Sequence, residues 1–194
     1  MERTATPDRL REAAWSLVRD EGLPAATSRR ITEAAQANLG AITYHFGSKD
    51  ALIGEALVEQ MRQWSAPLTN ALSAQGSDAD ARIAAAVQAL LDAFSVRRDE
   101  VIAIVRALMS DENLPGVADA VTEWLAEFRA VVSAVMTQQQ ATNLVPPEVE
   151  PDAMAGVFTA FGMGVITQAA VDRAPPDTGV VISQFLLLLQ RPAA

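Results

Sequence analysis

The 194-residue chain contains no cysteine and only one histidine. The absence of cysteine excludes disulfides and thiolate metal ligands, and it fits a reducing, cytoplasmic setting. A single histidine, with no cluster of carboxylates beside it, leaves no obvious nucleophile–base pair and no obvious metal site. We therefore expect no enzymatic activity, no metal and no cofactor.

Long apolar runs are also missing. The most apolar stretch, Val180–Leu189, covers ten residues, whereas a membrane-spanning helix needs about 20. The opening residues MERTATPDRL contain no apolar segment of the kind that a secretory signal requires. We expect no membrane partner, and we interpret Val180–Leu189 as a buried helix.

Positive charge is scarce overall but unevenly distributed. The net charge of −9 argues against a general polyanion binder. Residues 1–50 nevertheless carry seven basic and seven acidic side chains, whereas the remaining 144 residues carry eight basic and 17 acidic ones. This split indicates two parts of the chain with different partners.

The first of three compact helices is predicted near the N-terminus. Apolar residues from Leu10 to Val18 recur at the spacing of an amphipathic helix between Asp8 and Glu21. Gly22 favours the left-handed conformation that ends such a helix, and Pro24 prevents its continuation.

Two more helices follow within the first 50 residues. Thr27 is a good N-cap for a short second helix, and Asn38 is the expected cap of a third helix that ends near Phe46. Gly47 is expected to end this third helix, and Ser48 is expected to cap a longer helix that follows it. Short helices joined by a brief turn are typical of the helix-turn-helix arrangement.

The remaining sequence is also predicted to be helical. Alanine and leucine dominate, and no stretch of useful length alternates as a strand would. Pro67 is expected to end or kink the fourth helix near Trp64. Further helices are predicted over residues 78–94, 99–110, 117–140, 152–171 and 178–190. The fold class is therefore all-α, with about nine helices.

The stretch NLGAITYHFGSKDAL, residues 38–52, is hard to explain by core packing alone. It holds the chain's only tyrosine, its only histidine and its only lysine. Ile42 and Phe46 lie one helical turn apart and are predicted to face the core. The positions left facing outward are Asn38, Leu39, Gly40, Thr43 and Tyr44. A recognition helix needs this arrangement, because its exposed N-terminal half must reach base edges while phosphates anchor it.

Several nearby side chains suit a phosphate backbone. Tyr44 and His45 can donate hydrogen bonds to phosphate. Lys49 lies at a helix N-terminus, where a positive charge opposes the helix dipole, so we expect it to serve an anion outside the protein. Arg29 and Arg30 lie at the start of the second helix and, with its N-terminus, form an anion site.

The first 55 residues resemble the DNA-binding domain of the tetracycline-repressor (TetR) family of bacterial regulators. The similarity is carried by LREAAWSLVRDEG, TSRRITEAA and GAITYHFGSKDAL. It implies a DNA-binding domain over residues 1–50 and a helical effector-binding and dimerisation domain over residues 51–194. The residues that it places nearest the bases are Arg29, Leu39, Gly40 and Thr43. Those that it places on the phosphate backbone are Thr27, Tyr44, His45 and Lys49.

Two positions depart from the family's usual pattern. Gln36 occupies a turn position where the family usually has glycine, so this turn is expected to be strained or locally different. Leu39 stands where a lysine is common, and it could contact a thymine methyl group or a sugar.

Wide apolar side chains in the middle of the chain are candidates for an effector pocket, which the resemblance also implies. Few charged residues lie among them, which favours a small apolar or aromatic effector. The alternative is that each simply packs in the core. The candidates are Met61, Trp64, Phe94, Leu108, Met109, Trp124 and Phe128.

The last two helices are predicted to form a dimer interface. A stripe of small side chains after residue 151 would let another helix approach closely, and a neighbouring stripe is large and apolar. The resemblance implies a four-helix bundle built from two chains; the alternative is that both helices complete the core of one chain. The predicted interface residues are Ala153, Gly156, Val157, Ala160, Phe161, Gly164, Val181, Phe185 and Leu188.

These features predict a homodimeric, ligand-responsive transcriptional regulator. It would act as a repressor that leaves a palindromic double-stranded DNA operator when a small apolar effector binds. The alternative is a helical small-molecule carrier or interaction protein that no longer binds DNA, for which no salt-dependent DNA affinity is expected.

Overall fold

The structure is a computed structural model that describes residues 5–74, 81–82, 85–86, 88–89, 92, 97–110, 114–143, 145–172 and 177–189. The regular structure in these ranges is entirely helical, which confirms the all-α prediction. Eight α-helices have defined bounds in the described part, against about nine predicted. The helix predicted over residues 78–94 falls largely outside the described residues, although those described between 81 and 92 are helical.

The eight helices are numbered in chain order. They are α1 (Thr6–Glu21), α2 (Ser28–Ala34), α3 (Gly40–Phe46), α4 (Lys49–Ser73), α5 (Arg98–Leu108), α6 (Val117–Ala141), α7 (Pro151–Val171) and α8 (Thr178–Leu189). A short 3-10 helix, Leu23–Ala25, joins α1 to α2. None of the described helices is long and apolar enough to cross a membrane.

Contacts divide the chain into two compact units. The first unit comprises the residues up to Gln63 together with Ala103–Glu123, and the second comprises Trp64–Ile102 together with the residues from Trp124 onward. Helix α4 contributes its N-terminal part to the first unit and its C-terminal part to the second. The domain boundary predicted after residue 50 lies inside the first unit.

The first unit has a continuous apolar core beneath α3. Its fully buried large side chains come from α1, α2 and α4, and Ile42 of α3 is 3% exposed against them. Phe46 is half-buried and packs on the same cluster, as predicted. Each such aliphatic side chain contributes about 1.5–3 kcal/mol when fully buried. The fully buried large residues of this core are Leu10, Ile31, Leu52, Ile53 and Leu57.

Several predicted helix ends are confirmed. Gly22 ends α1 with φ 89°, and Gly47 ends α3 with φ 78°. The Thr27 hydroxyl accepts a hydrogen bond from the backbone N–H of Arg30 at 3.4 Å, which makes it the N-cap of α2. The Ser48 hydroxyl accepts one from the backbone N–H of Ala51 at 3.0 Å, so Ser48 caps α4.

Two predicted boundaries are wrong. Asn38 does not cap α3: Leu39 is its N-cap, and the chain enters the helix through the backbone carbonyl of Asn38, which accepts from Ala41 N–H at 3.0 Å. Pro67 does not end α4, which continues to Ser73. Leu72 on the last turn is 7% exposed and packs in the core of the second unit, so tertiary burial outweighs the local cost of proline in a helix.

Gly54 of α4 allows a close approach within the first unit. A Cβ atom at this position would lie 2.6 Å from the backbone carbonyl oxygen of Pro115. Because that oxygen belongs to the backbone and cannot rotate away, alanine at position 54 would force the Pro115 segment to move. The absence of a side chain here therefore fixes how the segment before α6 packs on α4.

The second unit is built around α4, α6 and α7. Its described core contains Leu72, Val132, Val135 and Ala155, with Phe128 among the partly buried residues packed on it. Helix α8 is held to α7 by aromatic contacts. The Phe185 ring stacks on Phe161 with centroids 3.8 Å apart and meets Phe158 edge-on at 5.7 Å.

The turn between α2 and α3 is strained at Gln36. This residue has φ 50°, a conformation that glycine adopts easily and other residues rarely do. The N–H of Gln36 bonds to the Glu33 carbonyl at 3.1 Å and that of Ala37 to the Thr32 carbonyl at 2.9 Å. These two bonds form a Schellman motif, whose left-handed position favours glycine. The strain expected from the sequence therefore has a specific backbone origin.

We predict that Gln36→Gly stabilises the protein by roughly 0.5–1 kcal/mol, because glycine removes the left-handed strain but adds freedom to the unfolded chain. Equilibrium urea unfolding measures the change. Gln36→Ala is the matched control, since it removes the same side chain but keeps the strained Cβ, and it should not stabilise. An Ala variant as stable as the Gly variant would contradict the explanation.

Candidate nucleic-acid interface

The DNA-contacting residues predicted from the sequence form an exposed surface on α2, α3 and the turns beside them. Nine of the ten are exposed, and Lys49 is half-buried. Two large side chains contribute to this surface: Leu39 is 61% exposed and Tyr44 is 84% exposed. The ten residues are Thr27, Arg29, Arg30, Asn38, Leu39, Gly40, Thr43, Tyr44, His45 and Lys49.

Helix α3 presents this surface because its other face is buried. Ala41 is 8% exposed and Ile42 is 3% exposed, whereas Gly40 and Thr43 lie on the open side. A Cβ atom on Gly40 would have only the Asn38 side-chain oxygen nearby, at 3.5 Å. Glycine at this position therefore leaves room for a bulky partner to approach the backbone.

Arg30 is paired inside the protein. Its guanidinium donates to both carboxylate oxygens of Glu21, at 2.8 Å and 2.5 Å, and so ties the end of α1 to the start of α2. The hydrogen bond lowers the pKa of Glu21 and raises the pKa of Arg30. Because the folded-state pKa of Glu21 is depressed, the pair stabilises the fold above the ordinary glutamate pKa. That stabilisation is lost as the pH falls through the lowered value.

Arg29 is in a different position, although it is adjacent in sequence. It is exposed, and its side chain makes no hydrogen bond or ion pair within the described ranges. The Thr32 hydroxyl donates a hydrogen bond to the backbone carbonyl of Arg29 at 3.1 Å. This contact does not involve the Arg29 guanidinium. Of the two arginines at the start of α2, Arg29 is the one available to an anion outside the protein.

The aromatic and basic side chains at the end of α3 contact one another. Tyr44 meets His45 edge-on, with ring centroids 4.8 Å apart. The guanidinium carbon of Arg11 lies 5.7 Å from the centroid of Phe46, while its Nε lies 3.5 Å from a Glu55 carboxylate oxygen. Arg11 thus links α1, α3 and α4. The local sequence signal for this role is Asp8, one helical turn earlier, whose carboxylate Arg11 contacts at 2.6 Å.

Lys49 at the start of α4 has a partner within the protein. Its Nζ atom lies 3.0 Å from a carboxylate oxygen of Asp50, and its side chain is 32% exposed. A surface ion pair of this kind is worth little and exchanges readily. Lys49 therefore remains close enough to the surface to meet a phosphate, with Asp50 competing for it.

The predicted effector residues fall in both units. Met61 is buried and Leu108 packs on the core of the first unit, whereas Met109 is 59% exposed. In the second unit, Trp64, Trp124 and Phe128 form one aromatic cluster. Phe94 lies outside the described residues.

The predicted dimer residues lie on α7 and α8. Ala153, Val157, Ala160 and Gly164 are exposed, and Gly156 is half-buried. A Cβ atom on Gly156 or Gly164 would meet none of the described residues within 4 Å. The remaining members are the half-buried Phe161, Val181 and Phe185, and Leu188, whose side chain is outside the described part.

Comparison with known proteins shows which family the N-terminal module is similar to. Residues 10–56 match the family described as "Bacterial regulatory proteins, tetR family". The module is similar to the helix-turn-helix of this family. A search of curated proteins gives no match.

Solved structures extend the TetR-like fold over nearly the whole chain. A transcriptional regulator from Rhodococcus sp. Rha1 is 25% identical, with TM-score 0.70 and coverage of 94% of this chain and 97% of that chain. Reduced NemR from E. coli is 20% identical, with TM-score 0.73 and coverage of 97% and 100%. FadR from Bacillus subtilis, in complex with stearoyl-CoA, is 13% identical, with TM-score 0.74 and coverage of 94% and 96%. The chain therefore has the fold of TetR-family transcriptional regulators.

We predict that Arg29→Ala weakens binding to duplex DNA about tenfold, because it removes an unpaired cation from the exposed surface. Arg30→Ala should change the affinity by less than about threefold, because Glu21 already occupies that guanidinium. Fluorescence anisotropy with a labelled duplex at low and moderate salt measures both. Equal losses, or a larger loss for Arg30→Ala, would show that the Glu21 pair does not restrain Arg30.

Proposed function

We propose that this protein is a dimeric transcriptional repressor that leaves its DNA operator when a small ligand binds. The observation that carries the proposal is the exposed surface of α3, supported from below by a buried core, in a module that matches the TetR family. Such a repressor would act in the cytoplasm, where bacterial DNA is found.

The exposed surface suits the major groove of DNA. Leu39 and Tyr44 both present large exposed side chains on this surface, and a partner that covers them would gain contact area. Gly40 and Thr43 lie on the same open side, so the backbone of α3 can approach base edges closely. Arg29, Tyr44, His45 and Lys49 supply donors for phosphates on either side, which position the helix without reading the sequence.

A single module of this kind covers only one half-site, so a second copy is required. Two symmetric copies bind half-sites about 34–36 Å apart, or a multiple of that distance. The small stripe on α7 is exposed and has open space where the side chains of Gly156 and Gly164 would be. A second α7 helix fits such a surface, because small residues let helix backbones approach closely and the neighbouring apolar residues then fill the gaps.

Ligand response is proposed to act through α4. This helix begins at the end of the DNA-binding module and continues into the second unit, where it carries Trp64. A ligand that contacts Trp64, Trp124 and Phe128 and prefers one position of α4 would shift the separation of the two recognition helices. FadR, which has a similar fold, is in complex with stearoyl-CoA, and this supports the proposal that such a fold accommodates a ligand with an apolar part, here an acyl chain.

We predict that Gly164→Leu converts a dimer into monomers, since the added side chain fills the space that a second chain needs. No described residue of the same chain lies within 4 Å of a Cβ at this position, so the fold of the protomer should persist. Analytical ultracentrifugation measures the mass, and circular dichroism checks the helix content. Gly162→Leu is the matched control, because that site is equally open but lies off the stripe. A dimer that survives Gly164→Leu would contradict this interface.

Selection of binding sequences from random duplex DNA, at two salt concentrations, tests the proposed function. We predict enrichment of a palindrome with two half-sites, and an affinity that falls steeply at the higher salt as phosphate contacts are screened. Enrichment of a single half-site would argue against the dimer. No enrichment and no salt-sensitive binding would overturn the regulator and favour a carrier that no longer binds DNA.

A further inference from the structure

Two tryptophan side chains of the second unit have buried N–H groups without acceptors. Trp64 of α4 is 8% exposed, and Trp124 lies on α6. The indole nitrogens of both are buried, and neither finds a hydrogen-bond partner within the described ranges. A buried donor without an acceptor is unfavourable, and buried tryptophans usually find a partner for this group.

The two indoles belong to the same cluster. Their ring centroids are 6.0 Å apart at an interplanar angle of 51°, and the Trp124 ring stacks on Phe128 at 5.8 Å with an angle of 19°. Two unpaired donors thus belong to one aromatic cluster. A small molecule that carries oxygen acceptors and binds at this cluster would pair with them.

We propose that Trp64 and Trp124 recognise an oxygen acceptor on a neutral aromatic ligand, a deeper statement of the effector site that rests on the proposed function. The aromatic rings favour a flat ring system by stacking. The indole N–H groups would select ligands that carry a carbonyl oxygen over hydrocarbons of the same shape. A ligand that is only apolar would leave both donors unpaired.

The acceptor is assigned as neutral because the cluster offers neutral donors. Burying a carboxylate costs far more than burying a carbonyl, and two N–H groups without a cation do not offset that cost. A carbonyl oxygen therefore fits better than a carboxylate.

Three naphthalene probes of similar size separate these chemistries. 1-Acetonaphthone carries a ketone oxygen, 1-ethylnaphthalene replaces that oxygen with hydrogen, and 1-naphthoate carries a carboxylate. The full-length protein is labelled with ¹⁵N in its tryptophans, which number three. Its indole N–H signals are assigned with the variants Trp15→Phe, Trp64→Phe and Trp124→Phe. Trp15 lies in the core of the first unit and serves as the internal reference.

We expect 1-acetonaphthone to shift the Trp64 and Trp124 signals toward the hydrogen-bonded position and to leave the Trp15 signal in place. It should bind about tenfold more tightly than 1-ethylnaphthalene, and 1-naphthoate should gain no such advantage. Replacing Trp64 or Trp124 with 3-benzothienylalanine, which has the same shape but no N–H group, should remove the preference for the ketone. Binding of 1-ethylnaphthalene should not change, and the melting temperature should not fall, because the replacement removes a buried donor that has no acceptor in the free protein.

Equal binding of ketone and hydrocarbon, tighter binding of the carboxylate, or no binding of any probe would each overturn the inference. Indole signals already in the hydrogen-bonded position in the free protein would also overturn it, because water would then satisfy the donors. Binding of the same preparation to a selected operator duplex, without any probe, reports the proposed function separately. If operator binding persists without a ketone preference, only the ligand inference fails; if operator binding is absent, the proposed function itself fails.

Discussion

Burial of one face of α3 is the constraint on which the proposed DNA-binding surface depends. The helix has seven residues, too few to be stable alone in water, so its conformation is set by packing on the core. Ile42 and Phe46 supply that packing, against a core that includes Ile31 and Leu52. With this face fixed, the positions between them, Tyr44 above all, must face outward. A stable core and an exposed reading surface are therefore two consequences of one helical periodicity.

Internal ion pairing determines which basic groups remain for a partner. The chain has a net charge of −9, and several basic side chains in its described part are paired with carboxylates, among them Arg19 and Arg97. Arg30 is held by Glu21 and Arg11 by its acidic neighbours, whereas Arg29 has no such partner in the described part of the chain. Weak surface pairs at Lys49 can exchange for phosphate at little cost. Fewer basic side chains are thus available to an external anion than the number of arginines indicates. Those that are available lie on one side of α2 and α3.

Local signals in the sequence were sufficient where the structure depends on local chemistry. The glycine at position 22 and the cap residues Thr27 and Ser48 lie where their backbone and side-chain properties predict. The predicted end of the helix near Trp64 was wrong, because burial of later residues in the second unit carries the helix past Pro67. The Arg30–Glu21 pair joins residues on different helices, and no periodicity within one helix indicates it. Tertiary contacts of this kind were needed to separate available cations from occupied ones.

The most direct test of the central claim, that the exposed side of α3 meets DNA, uses the chain's only tyrosine. Replacing tyrosine by 3-fluorotyrosine gives one ¹⁹F signal, which reports Tyr44 alone. Because this side chain is 84% exposed in the free protein, the signal should be strongly broadened by a dissolved paramagnetic agent. Saturation with a duplex that the protein binds should shift the signal and protect it from the agent. A signal that stays in place and fully accessible while DNA is bound would show that another surface makes the contact.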